Sequence, residues 1–244
     1  MTRMLNSILS QLYSRLSLDK YRSELAYWRL KHVLEGGRFR NDHFRRLMLG
    51  MAEETNDDFL KDKCVADFGC GPRGSLEWIR QPCQKLGLDV LAERYQTLFQ
   101  QDIQSHAMDY IPTSETEIPL ASASVDVLFS INALDHVKHL DIMAKEILRI
   151  LKSGGLFIAS VNLHQPPTPT EPWTLTQELM QALFLDSLDV QSSRTAVRGP
   201  KGDAYRYFFE PDRAKNQKPN YLWIKALKPA IVRTTCPAPA VVRA

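Results

Sequence analysis

A carboxylate followed by closely spaced glycines is the chemically most informative feature of this chain. Residues 65–74 read Val-Ala-Asp-Phe-Gly-Cys-Gly-Pro-Arg-Gly, an apolar strand that runs into a turn. Glycine lets the backbone turn sharply and lets a ligand approach it closely, where a Cβ would collide. A helix beginning near Ser75 would direct its free N–H groups at that ligand. The segment therefore predicts a turn that binds a nucleotide cofactor.

Two carboxylates narrow the choice of cofactor. Asp67 lies two residues before Gly69, where an anion suits a cofactor that carries an amino acid and a sulfonium cation rather than a pyrophosphate. Asp89 ends the next predicted strand, where a carboxylate accepts the hydroxyls of an adenosine ribose or caps the following helix. The position of Asp89 suits NAD equally well. Asp67 therefore favours S-adenosylmethionine, and an NAD-linked oxidoreductase remains the alternative.

A second group of polar residues follows the predicted strand 125–131. Asn132, Asp135 and His136 come directly after this apolar run, where side chains face the ligand crevice of an open α/β sheet. His136 is our candidate catalytic base, because an imidazole with an ordinary pKa of ~6.5 accepts protons near neutral pH. It could instead only shape the pocket or cap a helix. Asp135 could orient that imidazole, bind substrate or cap the same helix.

A third group lies in a loop rich in proline. Asn162, His164 and Glu171 are candidate substrate contacts, since prolines stiffen a loop that must hold side chains over a pocket. With Asp135 and His136 they include ligand types for a divalent metal. A hydrogen-bonding substrate wall is our preferred interpretation, so the sequence analysis assigns no metal.

The elements that position these residues alternate between strands and helices, which predicts a parallel α/β sheet. Residues 1–58 read as a helical extension or lid, residues 59–228 as the main domain and residues 229–244 as a disordered tail. Trp28 in the extension would contact substrate or simply pack in the core. We expect strands at 64–68, 125–131, 156–161, 188–196, 205–209 and 221–227, and a further strand that ends at 88–89. We expect helices at 23–34, 75–80, 92–100, 140–151 and 176–184.

Four motifs in this order resemble the class I S-adenosylmethionine-dependent methyltransferases that act on small molecules. They are Asp67 to Gly71, Asp89, residues 125–128 and residues 151–155, and together they span about residues 60–165. The resemblance implies a doubly wound Rossmann-like sheet of about seven strands with the last strand antiparallel. It also implies that Asp67, Gly69, Cys70 and Gly71 hold the methionine part of the cofactor, and that Asn132 lies beside the transferred methyl group.

Two positions depart from the family pattern. Ser153 stands where proline is usual, and Ser114 stands where an aspartate often contacts the adenine amine. Glu115 or Glu117 could serve instead, and we assign Glu117 to the cofactor.

Composition limits the function further. The chain has 244 residues and a net charge of +3, a balance that does not favour nucleic-acid binding. Its four cysteines lack metal-ligand spacing and predict reduced thiols. No apolar run approaches the ~20 residues of a membrane span, so we expect a cytoplasmic protein. The amphipathic N-terminal helix predicts packing on the main domain or on a second subunit, as in a homodimer. A non-catalytic scaffold subunit is the other alternative.

Overall fold

The computed structural model describes residues 19–200, 204–214 and 217–230, and they form one seven-stranded sheet with helices on both sides. The predicted helix at the start of the chain and most of the predicted tail lie outside these residues. The helices are α1 (Lys20–Leu34), α2 (His43–Ala52), α3 (Ala92–Leu98), α4 (Gln100–Ser105), α5 (Leu140–Ile150), α6 (Gln177–Leu183) and α7 (Arg206–Phe209). The strands are β1 (Cys64–Phe68), β2 (Gln84–Asp89), β3 (Asp109–Pro112), β4 (Val125–Ile131), β5 (Leu151–Asn162), β6 (Asp189–Ala196) and β7 (Tyr221–Leu227).

The strands follow the order β3-β2-β1-β4-β5-β7-β6. The first five run parallel, and β7 lies antiparallel between β5 and β6. This arrangement confirms the predicted Rossmann-like sheet with an antiparallel last strand. In the sheet, β1 lies between β2 and β4. The chain passes from β1 to β2 and β3 on one side and then to β4 and β5 on the other side, so the strand order reverses at β1. Ligands of open α/β sheets bind at such a point.

Successive residues of the central strands enter opposite core layers. Val127 and Phe129 of β4 pack on one face of the sheet, whereas Leu128 packs on the other, and none of the three is exposed. Burial on both faces explains why five of the seven residues of this strand are apolar.

Three local predictions were wrong. The predicted helix at 75–80 is a pair of turns, in which Glu77 and Ile79 donate to the carbonyls three residues earlier. The predicted strand at 205–209 contains the short helix α7, because Phe208 stacks on Trp223 of β7 with ring centroids 3.4 Å apart. The predicted strand at 156–161 begins earlier than expected, because β5 starts at Leu151 directly after α5 ends at Ile150 and runs through Gly154 and Gly155.

The N-terminal helices pack on the sheet. The Asp19 side chain caps α1 by accepting from the Tyr21 N–H, and α2 buries Leu47 and Met48 in the same core layer as Val65 of β1. Within the described part of the chain, no helix is both long enough and apolar enough to cross a membrane.

Candidate active site

A cavity of about 520 Å³ lies beside the carboxyl ends of β1, β2 and β4, under α1. Its volume is typical of small-molecule sites. It brings together seven of the residues singled out from the sequence: Trp28, Gly69, Cys70, Asp89, Asn132, His136 and Glu171. Five others, Asp67, Gly71, Glu117, Asn162 and His164, are not among its lining residues, and Asp135 is buried behind the lining at 2% exposure.

The turn after β1 requires its first two glycines. Gly69 has φ +72°, and a Cβ there would lie 2.2 Å from the Ala133 Cβ. Gly71 has φ +58°, and a Cβ there would lie 2.8 Å from the Trp28 ring. Both positions therefore demand glycine for backbone conformation and for space. The Trp28 indole thus lies against the turn and forms part of the cavity wall.

Asp89 ties the end of β2 to this turn. One carboxylate oxygen accepts from the Gly71 N–H at 3.0 Å, and the other accepts from the Leu91 N–H at 2.8 Å. Each oxygen keeps a further lone pair for a ligand hydroxyl. Burial raises the pKa of Asp89 to about 6, against the lowering effect of these two N–H groups.

Asp67 lies beneath the turn rather than at the cavity surface. The Ser75 hydroxyl donates to one of its oxygens, and the other oxygen is buried and has no hydrogen-bond partner among the described residues. Burial, with the neighbouring Asp89 charge, raises the pKa of Asp67 to about 7. The carboxyl is thus poised to lose or keep its proton near neutral pH.

The residues considered for the adenine contact lie at two different places on the protein. Ser114 and Glu115 line the cavity, whereas Glu117 lies beside Arg149 in a different groove. The Glu115 carboxylate accepts from Lys20 Nζ at 2.8 Å, from the Tyr21 hydroxyl at 2.6 Å and from the Lys138 N–H at 2.9 Å. Glu115 therefore fastens α1 to the loop after β3.

Three carboxylates surround His136, which lines the same cavity as Asp89. Its Nδ1 lies 3.0 Å from Glu24 Oε1, and its Nε2 lies 3.6 Å from Glu171 Oε1. Burial opposes a charge on the ring, but Glu24, Asp135 and Glu171 outweigh burial and raise the pKa of His136 to about 9. The ring is consequently protonated at neutral pH and is not a free base in this arrangement.

The loops after β4 and β5 position these groups. Asp135 and His136 belong to a short 3₁₀ helix, Leu134–His136. Glu171 is held by a tight turn in which its N–H donates to the Thr168 hydroxyl and its carbonyl accepts from the Thr168 N–H. Asn162 ends β5 and His164 lies in the loop that follows it, but the cavity lining includes neither residue.

Several lining residues were missed in the sequence. Glu24 and Tyr27 lie on the same face of α1 as Trp28, a spacing of three and four residues that could have identified Glu24. Arg198, which precedes Gly199 and Pro200, also lines the cavity. No local signal separates such an arginine from a surface one.

Comparison with known proteins identifies the domain. Residues 66–159 match the family model described as a methyltransferase domain. Malonyl-[acyl-carrier protein] O-methyltransferase from Enterobacter lignolyticus (strain SCF1) is 30% identical over 138 residues, which cover 55% of this chain and 54% of that protein. Sterol 24-C-methyltransferase erg6 from Aspergillus fumigatus is 27% identical over 123 residues, 48% of this chain and 30% of that one. The chain thus spans about half or less of these relatives' lengths.

A solved structure shows the same fold. Geranyl diphosphate C-methyltransferase from Streptomyces coelicolor A3(2), in complex with Mg²⁺, geranyl-S-thiolodiphosphate and S-adenosyl-L-homocysteine, has a TM-score of 0.53 and 15% identity. The match covers 77% of this chain and 75% of that one. The family match shows that this chain carries a methyltransferase domain over residues 66–159, and the sheet order and the glycine turn between two buried acids agree with the class I S-adenosylmethionine-dependent methyltransferase fold.

Proposed function

We propose that this chain transfers a methyl group from S-adenosylmethionine to oxygen or nitrogen of a small-molecule acceptor. One observation carries the proposal: a single cavity connects Asp89 and the glycine turn with the His136 cluster. A cofactor held at the first end and an acceptor held at the second would share one space.

The residues present fit the cofactor. The Asn132 Oδ1 is buried at the cavity and has no hydrogen-bond partner among the described residues, so it can accept from a cofactor amino group. Asp89 retains lone pairs for ribose hydroxyls. When bound, S-adenosylmethionine supplies an electrophilic methyl group on a sulfonium.

Methyl transfer then requires an acceptor atom held in line at ~3 Å, with little covalent assistance from the protein. Trp28 and Tyr27 of α1 line the cavity, where they would limit the access of water to the transferred methyl group. We assign contact with the acceptor to Asp135, His136 and Glu171. The two relatives methylate oxygen and carbon by their names, so the acceptor itself stays open beyond the class of small molecules.

Two further expectations remain predictions. The balanced charge supports an acceptor other than nucleic acid. A homodimer through the N-terminal helices depends on residues 4–16, which lie outside the described part of the chain.

Calorimetric titration with S-adenosylhomocysteine tests the proposal. We expect micromolar binding by the wild-type protein and at least a tenfold loss in Asp89→Ala, because the ribose acceptor is removed. Asp186→Ala is the matched control, since Asp186 is exposed and does not line the cavity. Absence of wild-type binding, with a normal circular dichroism spectrum, would overturn the proposed function.

A further inference from the structure

Side chains from three sequence positions converge at the acceptor end of the cavity. One potential ligand atom from each of Asp135, His136 and Glu171 lies within 4.8 Å of the other two. Asp135 and His136 come from the loop after β4, and Glu171 comes from the loop after β5, the neighbouring parallel strand. The sheet therefore places two carboxylates and an imidazole around one point.

The burial of Asp135 is the second observation. Its side chain is 2% exposed, and neither carboxylate oxygen has a hydrogen-bond partner among the described residues. A buried carboxylate without donors is costly, because it has lost water and gained no hydrogen bond in exchange. A cation at the convergence point would supply the missing interaction.

The orientation of His136 fits the same conclusion. Glu24 lies 3.0 Å from Nδ1, which leaves Nε2 facing the Glu171 carboxylate at 3.6 Å. Metal-binding histidines commonly direct their other ring nitrogen to a carboxylate that sets the ring orientation. Glu24 on α1 is thus a positioning residue for this imidazole.

We propose that Asp135, His136 and Glu171 bind one divalent transition-metal cation of the Mn²⁺, Co²⁺ or Zn²⁺ type. Two carboxylate oxygens and one imidazole nitrogen suit these ions. An organic ammonium group would bind the carboxylates without requiring the imidazole. Three protein ligands leave coordination positions open to the cavity. Binding of the cation requires the imidazole in its neutral form.

The role of the open positions rests on the proposed function. A cation there would hold an acceptor through oxygen, and it would lower the pKa of a coordinated hydroxyl. The substrate class that fits is therefore a small molecule whose methyl-accepting group is a hydroxyl.

Cobalt titration of the EDTA-treated full-length protein tests the site. We expect visible absorption bands that saturate at one equivalent of Co²⁺, with micromolar affinity. Asp135→Asn keeps the side-chain shape and should weaken Co²⁺ binding at least tenfold, and Glu24→Gln should weaken it about tenfold through the imidazole orientation. Asp186→Asn is the isosteric control and should bind Co²⁺ as the wild type does.

Two outcomes would overturn the metal site: no cobalt bands at millimolar Co²⁺, or bands that Asp135→Asn leaves unchanged. Titration with ethylammonium chloride tests whether the cluster binds an organic cation. If ethylammonium binds and no cobalt bands appear, the cluster is assigned to an amine instead. The same samples are titrated with S-adenosylhomocysteine. In the wild-type protein, absence of cobalt binding with intact S-adenosylhomocysteine binding rejects the metal site alone, whereas cobalt binding without S-adenosylhomocysteine binding rejects the proposed function alone.

Discussion

Asp67 and Asp89 are two carboxyl groups buried beneath one turn, and their proton affinities follow from that burial. The pKa of Asp67 is raised from 3.8 to about 7 in the folded protein, by burial first and then by the Asp89 charge. The folded state therefore holds its proton to a higher pH than the unfolded chain does. The stability associated with Asp67 is full below pH 3.8, decreases as the pH rises and is lost once the pH passes about 7.

The loss of this stability with rising pH leads to a prediction for Asp67→Asn. The variant keeps the side-chain shape but cannot ionise, so it should gain stability relative to the wild type at high pH. We therefore compare the unfolding free energy of the variant with that of the wild type at each pH. The variant's advantage over the wild type should be about 2 kcal/mol larger at pH 8 than at pH 5. Urea unfolding at both pH values measures it. Asp186→Asn should show no such difference, and a pH-independent effect of Asp67→Asn would contradict the raised pKa.

At the scale of elements, α1 acts as the cover of the cavity, and polar contacts hold it at several points along its length. Lys20 and Tyr21 bind Glu115 at its start, and His32 lies 2.8 Å from the Asp102 carboxylate near its end. Between these contacts, Glu24 and Trp28 face the cavity. The position of α1 therefore depends on Glu115 and Asp102, which lie far from it in the sequence.

Removing the Glu115 carboxylate should loosen the first turns of α1. Glu115→Ala loses the partners of Lys20, Tyr21 and the Lys138 N–H at once, so we expect faster amide hydrogen exchange in the first half of α1 with little change in the sheet. Glu117→Ala is the matched comparison, since Glu117 lies beside Arg149 and away from α1. Equal exchange in the two variants would show that Glu115 does not hold the helix. Mass spectrometry of peptic fragments gives the rates.

At the scale of the whole molecule, the N-terminal helices and the sheet share a core layer. Leu25 of α1 and Met48 of α2 belong to the same buried cluster as Val65, Val127 and Ile158 of the strands. Residues 19–58 are thus packed on the sheet rather than around a core of their own. Helices and sheet should unfold as one unit.

Met48→Ala tests this cooperativity. Met48 is fully buried, so its truncation should lower the unfolding free energy by about 2–5 kcal/mol. Far-ultraviolet circular dichroism and tryptophan fluorescence should shift together in urea, because Trp78 and Trp223 lie in the same cluster. Val33→Ala is the control, since Val33 is 72% exposed. An early loss of helical signal that leaves the fluorescence unchanged would indicate an independently unfolding N-terminal segment.

The features that the sequence predicted correctly depend on neighbours along the chain. Residues 125–131 form a strand in which five of seven residues are apolar, as expected for a strand covered on both faces, with Asp126 and Ser130 as the polar exceptions. The glycines at 69 and 71 mark the turn because backbone conformation there excludes a side chain. Helix α1 spans Lys20–Leu34 and ends where the predicted helix at 23–34 ends. In each case the determining interactions lie within a few residues.

Other features depend on contacts between distant segments, which periodicity and spacing do not contain. The aromatic residues 205–209 alternate like a strand, yet Phe208 stacks on Trp223 from a short helix. Glu115 rather than Glu117 lines the cavity because α1 docks against it. The meeting of Asp135 and His136 with Glu171 follows from the adjacency of β4 and β5, and the third carboxylate, Glu24, comes from α1. Local sequence therefore sets the elements and the cofactor turn, whereas the chemistry of the acceptor end arises when the folded sheet and its helical cover bring separate loops to one point.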